Sequence, residues 1–260
     1  MRRLAVGLLL AFGHAFVAQA QTTPQPGWSL GISSGPSWTS NPRDVTARAR
    51  GDWSASNEIS LGHRLPLWSG GALSLNLTGT SELYARENRE GRQRGLVSLG
   101  VSHNWSGTIL TVSALARKSL SHDFSGHESA SQEIAVAITR TFIVAGGWSL
   151  TVFARGARRL HNDGTEDQIR AGVNATLAYR TGPWTMRIGG GFSYALEDKT
   201  IFLPRINDRT VSARAGITYE WAKDRDLSLG GVFTRTYSSY EPNRTKAFSV
   251  SPRISATIRF

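Results

Sequence analysis

From Trp28 to Phe260 the chain is a succession of segments, each of about ten residues or more, in which apolar and polar side chains alternate. Period two is the mark of a β-strand with one apolar and one polar face. No stretch holds a convincing 3.6-residue period. The connections between the segments take turns in length. Very short ones, "SGG" at 69–71, "SGT" at 106–108, "AGG" at 145–147, "TGP" at 181–183 and "KDRD" at 223–226, alternate with longer polar ones. The long set is "RENREGRQR" at 86–94, "SLSHDFSGHESAS" at 119–131, "HNDGTED" at 161–167, "EDKTIFLPRINDR" at 197–209 and "SSYEPNRTK" at 238–246. Tight turns at one end and long loops at the other predict an all-β chain: one transmembrane, antiparallel, up-and-down β-barrel.

The segments number twelve: 28–39, 45–68, 72–85, 94–105, 108–118, 132–144, 148–160, 168–180, 184–196, 209–221, 227–237 and 247–260. The even count brings both ends of the barrel to one side. The segment 45–68 is long enough for one strand projecting far above a membrane or for two. A recurrence of roughly 40 residues between short turns also suits a propeller blade. A blade, however, holds four short strands, and each unit here holds two long ones. "GGG" at 189–191 reads as a bend or a close approach inside a strand.

Trp68, Trp105, Trp148, Trp184 and Trp221 lie beside short turns, and Trp28 opens the first segment at the same level. An indole buries an apolar body and keeps its N–H wet, so these six are read as an interfacial girdle. His63 and His103 share the apolar parity near that end and are expected at the same interface.

Residues 1–20 combine Arg2 and Arg3, an apolar stretch from Leu4 to Phe12, and Ala18-Gln19-Ala20 in a small-x-small pattern. They are expected to be a cleaved signal peptide, followed by a short periplasmic segment at 21–27 and the barrel over 28–260. The chain has no cysteine, so an exported fold must be held without disulfides. Mean hydropathy is −0.25, and after residue 20 no apolar run reaches the length of a membrane-spanning helix. The net charge is +11. Nucleic acid is not expected as a partner, because export removes the chain from it and the arginines are spread over many strands.

Parity places Arg48, Arg50, Arg64, Arg117, Arg155, Arg170, Arg187, Arg214, Arg253 and Arg259 on the inward face, against Asp52, Glu58, Glu82, Glu133 and Glu220. The expected lumen is positive and narrow, and it favours small anionic solutes. Arg48, Arg50, Arg155, Arg170, Arg187 and Arg214 are the residues expected to set that preference. The competing reading is an arginine–carboxylate network that packs the lumen shut, as in a structural or secretion-associated barrel. Arg86, Arg89, Arg92, Arg94, Arg158, Arg205, Arg209 and Arg244, in or beside long loops, are expected to meet lipopolysaccharide phosphates.

A hydrolase would need a nucleophile, a base and an orienting group. Only "SLSHDFSGHES" gathers such types, with Ser121, His122, Asp123, Ser125, His127 and Glu128, and a solvated turn accounts for them equally. "HNDGTED" contains Asn-Asp-Gly, first of all a turn sequence. No catalytic, metal or cofactor site is expected.

The final stretch "ISATIRF", with Ile254, Ala256, Ile258 and Phe260 alternating with polar residues, resembles the C-terminal signature of Gram-negative outer-membrane β-barrel proteins. The resemblance implies residence in the outer membrane and recognition of the last strand by the barrel-assembly machinery.

Overall fold

The computed structural model describes residues 27–41, 51–86, 91–121, 127–161, 167–197, 205–240 and 244–260, with the side chains of 127 and 128 excepted. Twelve strands alternate along the chain: β1 (Gly27–Thr39), β2 (Asp52–Trp68), β3 (Gly71–Tyr84), β4 (Arg92–Trp105), β5 (Thr108–Ser121), β6 (His127–Ala145), β7 (Trp148–His161), β8 (Gln168–Thr181), β9 (Trp184–Glu197), β10 (Asn207–Ala222), β11 (Arg225–Ser238) and β12 (Thr245–Arg259). Each pairs antiparallel with its sequence neighbours, and β1 pairs with β12, so the sheet closes. Closure leaves no free edge, and every strand finds backbone partners on both sides.

Pattern and structure agree where the alternation is strong and differ at segment ends. The stretch 45–68 resolves as one strand beginning at Asp52, with 42–50 outside the described residues. Pairing also continues past the expected ends of β5 and β6, to Ser121 and back to His127, because Ser119 and Lys118 still meet Ser129 and Ala130 in register. β4 likewise starts at Arg92, within the expected loop.

The short connections are tight hairpins. Ser106 and Gly107 both take positive φ, as do Gly146 and Gly147. Two successive left-handed residues match the right-handed twist of the strands they join. The Asn104 carboxamide accepts a hydrogen bond from the Gly107 amide at 3.0 Å and secures the first of these turns.

The apolar parity faces outward. Ile32, Ile59, Leu77, Leu99, Val136, Val173, Ile188, Leu229 and Ile254 are all exposed, and only Ala72, Ala135, Ala195 and Ile206 are buried hydrophobics among the described residues. A continuous exposed belt of this extent is incompatible with water and suited to lipid. Trp28, Trp68, Trp105, Trp148, Trp184 and Trp221, between 40% and 58% exposed, rim the belt at the short-turn end. The His63 ring lies tilted against Trp28 with centroids 4.2 Å apart, and His103 accepts the Trp68 indole proton at 2.8 Å while meeting Trp105 edge-on. The other two tryptophans, Trp38 and Trp53, are register partners on the outer face at the long-loop end, with Phe248 beside Trp38. From Trp28 to Trp38 strand β1 rises roughly 33 Å at about 3.3 Å per residue. A strand tilt of about 40° reduces this to roughly 25 Å, the height of the apolar band of such barrels.

Candidate functional site

The polar parity of every strand turns inward, so the lumen is the place where this chain's charges meet. Its two walls differ. On β5 to β8 the inward face carries Arg117, Glu133, Arg155, Arg159 and Arg170. Glu133 is paired in register with Arg159 and stands one strand from Arg117. Arg159 donates to its Oε2 from Nε at 2.9 Å and approaches again through Nη2 at 2.8 Å. Arg155 donates to Oε1, and the Arg170 Nη1 lies 3.9 Å from Oε2. Glu133, Arg159 and Arg170 are only 2%, 4% and 4% exposed. A buried carboxylate is tolerable where several guanidinium groups satisfy its oxygens, and here three share one acceptor. The cluster sits near the long-loop end and leaves an excess of positive charge at that level.

The facing wall, from β9 round to β2, is low, built of small residues between scattered charges, Arg187, Arg214 and Arg253 with Asp52, Glu58, Asp208, Glu220 and Asp226. Gly189, Gly191, Ser193, Ser212, Gly216, Thr218, Ser228, Gly230, Ser249 and Ser251 line much of it, and on the same inward face Val232 is 37% exposed. Three arginines of this wall each donate to a neutral acceptor across it. Arg187 donates to Thr218 Oγ1 at 3.0 Å, Arg214 to Asn174 Oδ1 at 2.9 Å, and Arg253 to Ser56 Oγ at 3.1 Å. The Asn174–Arg214 bond crosses the whole of β9, and the glycine run explains how. A Cβ at Gly191 would stand 1.9 Å from Asn174 Oδ1. "GGG" is therefore a close approach. Toward the short turns Arg180 pairs with Glu220 at 2.9 Å and Arg259 with Asp224.

Among the residues expected to set selectivity, Arg155 and Arg170 come together on Glu133, Arg187 and Arg214 stand apart on the low wall, and Arg48 and Arg50 fall outside the described residues. Sequence reasoning missed Arg159. Its signal was present, since it shares the parity of Arg155 four residues earlier. Arg92 and Arg94 share the inward parity of Leu96, Ser98 and Ser102, so they face the lumen and not the lipid assigned to them. Arg158 and Arg209 do face outward. Of the hydrolase cluster, His122, Asp123 and Ser125 lie outside the described residues, and no three metal-ligating side chains converge among the described ones. In "HNDGTED" the His161 amide donates to Asp167 Oδ1 at 3.3 Å, and 162–166 lie outside the described residues.

No family model and no curated protein matches the chain. Among solved structures it is similar to the COG4313 outer membrane channel from Pseudomonas putida F1, at 12% identity and TM-score 0.59, over 92% of this chain and all of that one. The beta domain of the Bordetella autotransporter Brka matches at 13% identity and TM-score 0.48, over 90% and 100% of the two chains. The KdgM porin matches at 9% and 0.46, over 86% and 97%. The first of these likenesses shows a shared fold, the closed antiparallel β-barrel.

Proposed function

We propose that this protein resides in the outer membrane, with its long loops outside the cell, and forms a narrow channel that passes small hydrophilic solutes and prefers anions. The observation that carries the reading is the asymmetry of the lumen. One wall holds Arg117, Arg155, Arg159 and Arg170 around the single carboxylate of Glu133, and the facing wall sets glycine, serine and threonine, with Val232 open to solvent, between scattered charges of both signs, Arg187, Arg214 and Arg253 with Glu58, Asp208 and Asp226. Small residues leave room for a water-filled path, and the low-dielectric wall concentrates the field of the arginines on whatever moves along it. An anion enters that field favourably, and the shared Glu133 keeps the site from holding the anion too tightly to release it. The fold also serves in the channel described for Pseudomonas putida.

Planar-bilayer recording in asymmetric salt tests this. The expected reversal potential indicates chloride over potassium, weakened when Arg155 and Arg170 become Gln. A second reading has its own support: the near-complete burial of Glu133, Arg159 and Arg170 suits a lumen packed shut at that level, as in a structural barrel. Negligible conductance from well-folded protein would select it, and cation preference would defeat the first reading outright.

A further inference from the structure

On the outer face at the long-loop end, β10, β11 and β12 present three cations together. Arg235 and Lys246 are direct register partners, and Arg209 lies on β10 diagonal to Arg235, whose own partner there is Val211. All three belong to the outward parity and are exposed. None forms an ion pair with a carboxylate of the described residues. The nearest acid in sequence, Asp208, turns inward to accept from the Ser238 hydroxyl. Arg158 differs, since it stands at 3.8 Å from Asp167. Like charges placed directly opposite on one face of a sheet repel. On a face turned to lipid the arrangement is unfavourable unless an anion bridges it.

The surroundings say where that anion comes from. The Arg235 guanidinium lies over the Tyr237 ring at 4.7 Å and the Lys246 ammonium near Phe233 at 5.8 Å. Phe248 and Trp38 continue the apolar surface from there toward the middle of the belt. The cations therefore sit at the upper aromatic rim, where headgroups begin, with a track for an acyl chain below. Guanidinium and ammonium groups at this spacing suit a phosphomonoester, which offers several strong acceptors.

We propose that Arg209, Arg235 and Lys246 form a binding site for a phosphate borne by a glycolipid of the outer leaflet. The assignment rests on the orientation proposed above. Native mass spectrometry of the detergent-purified barrel compares retention of bisphosphorylated lipid A, the same lipid enzymatically dephosphorylated, and phosphatidylglycerol. The wild type is expected to retain the bisphosphorylated lipid at least tenfold better than either, and the Arg209→Gln/Arg235→Gln/Lys246→Gln variant to lose that margin. Arg158→Gln, outside the cluster, should keep it. Should the triple variant not fold, Arg235→Gln alone is expected to lose at least threefold. Equal retention of the lipids by the wild type, an unchanged margin in the folded variant, or displacement of the lipid by millimolar inorganic phosphate would overturn the proposal. Protease cleavage at 87–90 in intact cells tests the orientation independently.

Discussion

Glu133 is the residue on which the arginine wall depends. Removing a carboxylate that three guanidinium groups share leaves buried positive charge uncompensated, an effect of about 3–5 kcal/mol for a broken buried pair. Glu133→Ala is expected to lower stability by that order, measured as the urea midpoint of the barrel in detergent. If the lumen conducts, the same variant should show stronger anion preference, since Arg155, Arg159 and Arg170 then lose the carboxylate they share. A second residue-scale prediction concerns the low wall. Gly191→Val would drive a side chain into Asn174 Oδ1, which the backbone there already approaches to 1.9 Å of a Cβ position. The expected result is loss of the Arg214 hydrogen bond and a change in conductance or selectivity, with the β-type circular dichroism retained. Unchanged conductance would show that Arg214 is not part of the path.

At the scale of the strand, the junction of β1 and β12 differs from the others. Register pairing runs from Ser29 to Ser34 and resumes at Trp38, and in the interval Pro252 lacks the amide proton a ladder needs. Gly35 lets the two backbones pass, since a Cβ there would stand 2.0 Å from the Pro252 carbonyl oxygen. Gly35→Val is expected to force the junction apart and reduce the refolded fraction in detergent at least severalfold, scored by heat-modifiable gel migration. Gly95, on the outer face with open space around it, is the control and should tolerate Ala. The pairing of Trp28 with Phe260, through amide-to-carbonyl bonds of 2.9 and 3.0 Å, completes the closure beyond β12. The Phe260 ring itself is exposed. Phe260→Ala should therefore refold normally in detergent and yet accumulate poorly in the membrane of cells, separating a recognition role from a structural one. Equal accumulation would remove the recognition role.

For the whole molecule, stability resides in closure more than in a core. With Ile206 the one large buried hydrophobic side chain among the described residues, the barrel relies on its continuous ladder, its lipid-facing belt and its lumen polar contacts. Transfer from detergent to water should accordingly lead to aggregation and not to a soluble fold, a result read directly by light scattering. A soluble monomer would contradict the belt. The roughly 25 Å between aromatic rims also sets the bilayer thickness that the barrel should prefer, testable by refolding yield across lipids of graded chain length.

Period-two alternation determined the all-β class and the outward face, because each depends only on neighbours along one strand, whereas pairing with β1 and β3 decided that 52–68 is a single strand. The tryptophan rim was legible for the same reason: a residue's distance from a tight turn sets its height in the membrane. Strand ends were less legible. Arg92, Ser121 and His127 are polar residues that look like loop, and only pairing with an adjacent strand makes them β. The sequence also put Arg155 and Arg170 on the inward face without revealing that they converge with Arg159 on one carboxylate. That convergence depends on register between β6, β7 and β8, which brings residues 133, 155, 159 and 170 to one level. Parity tells which way a side chain points. Only closure of the sheet decides what it meets there.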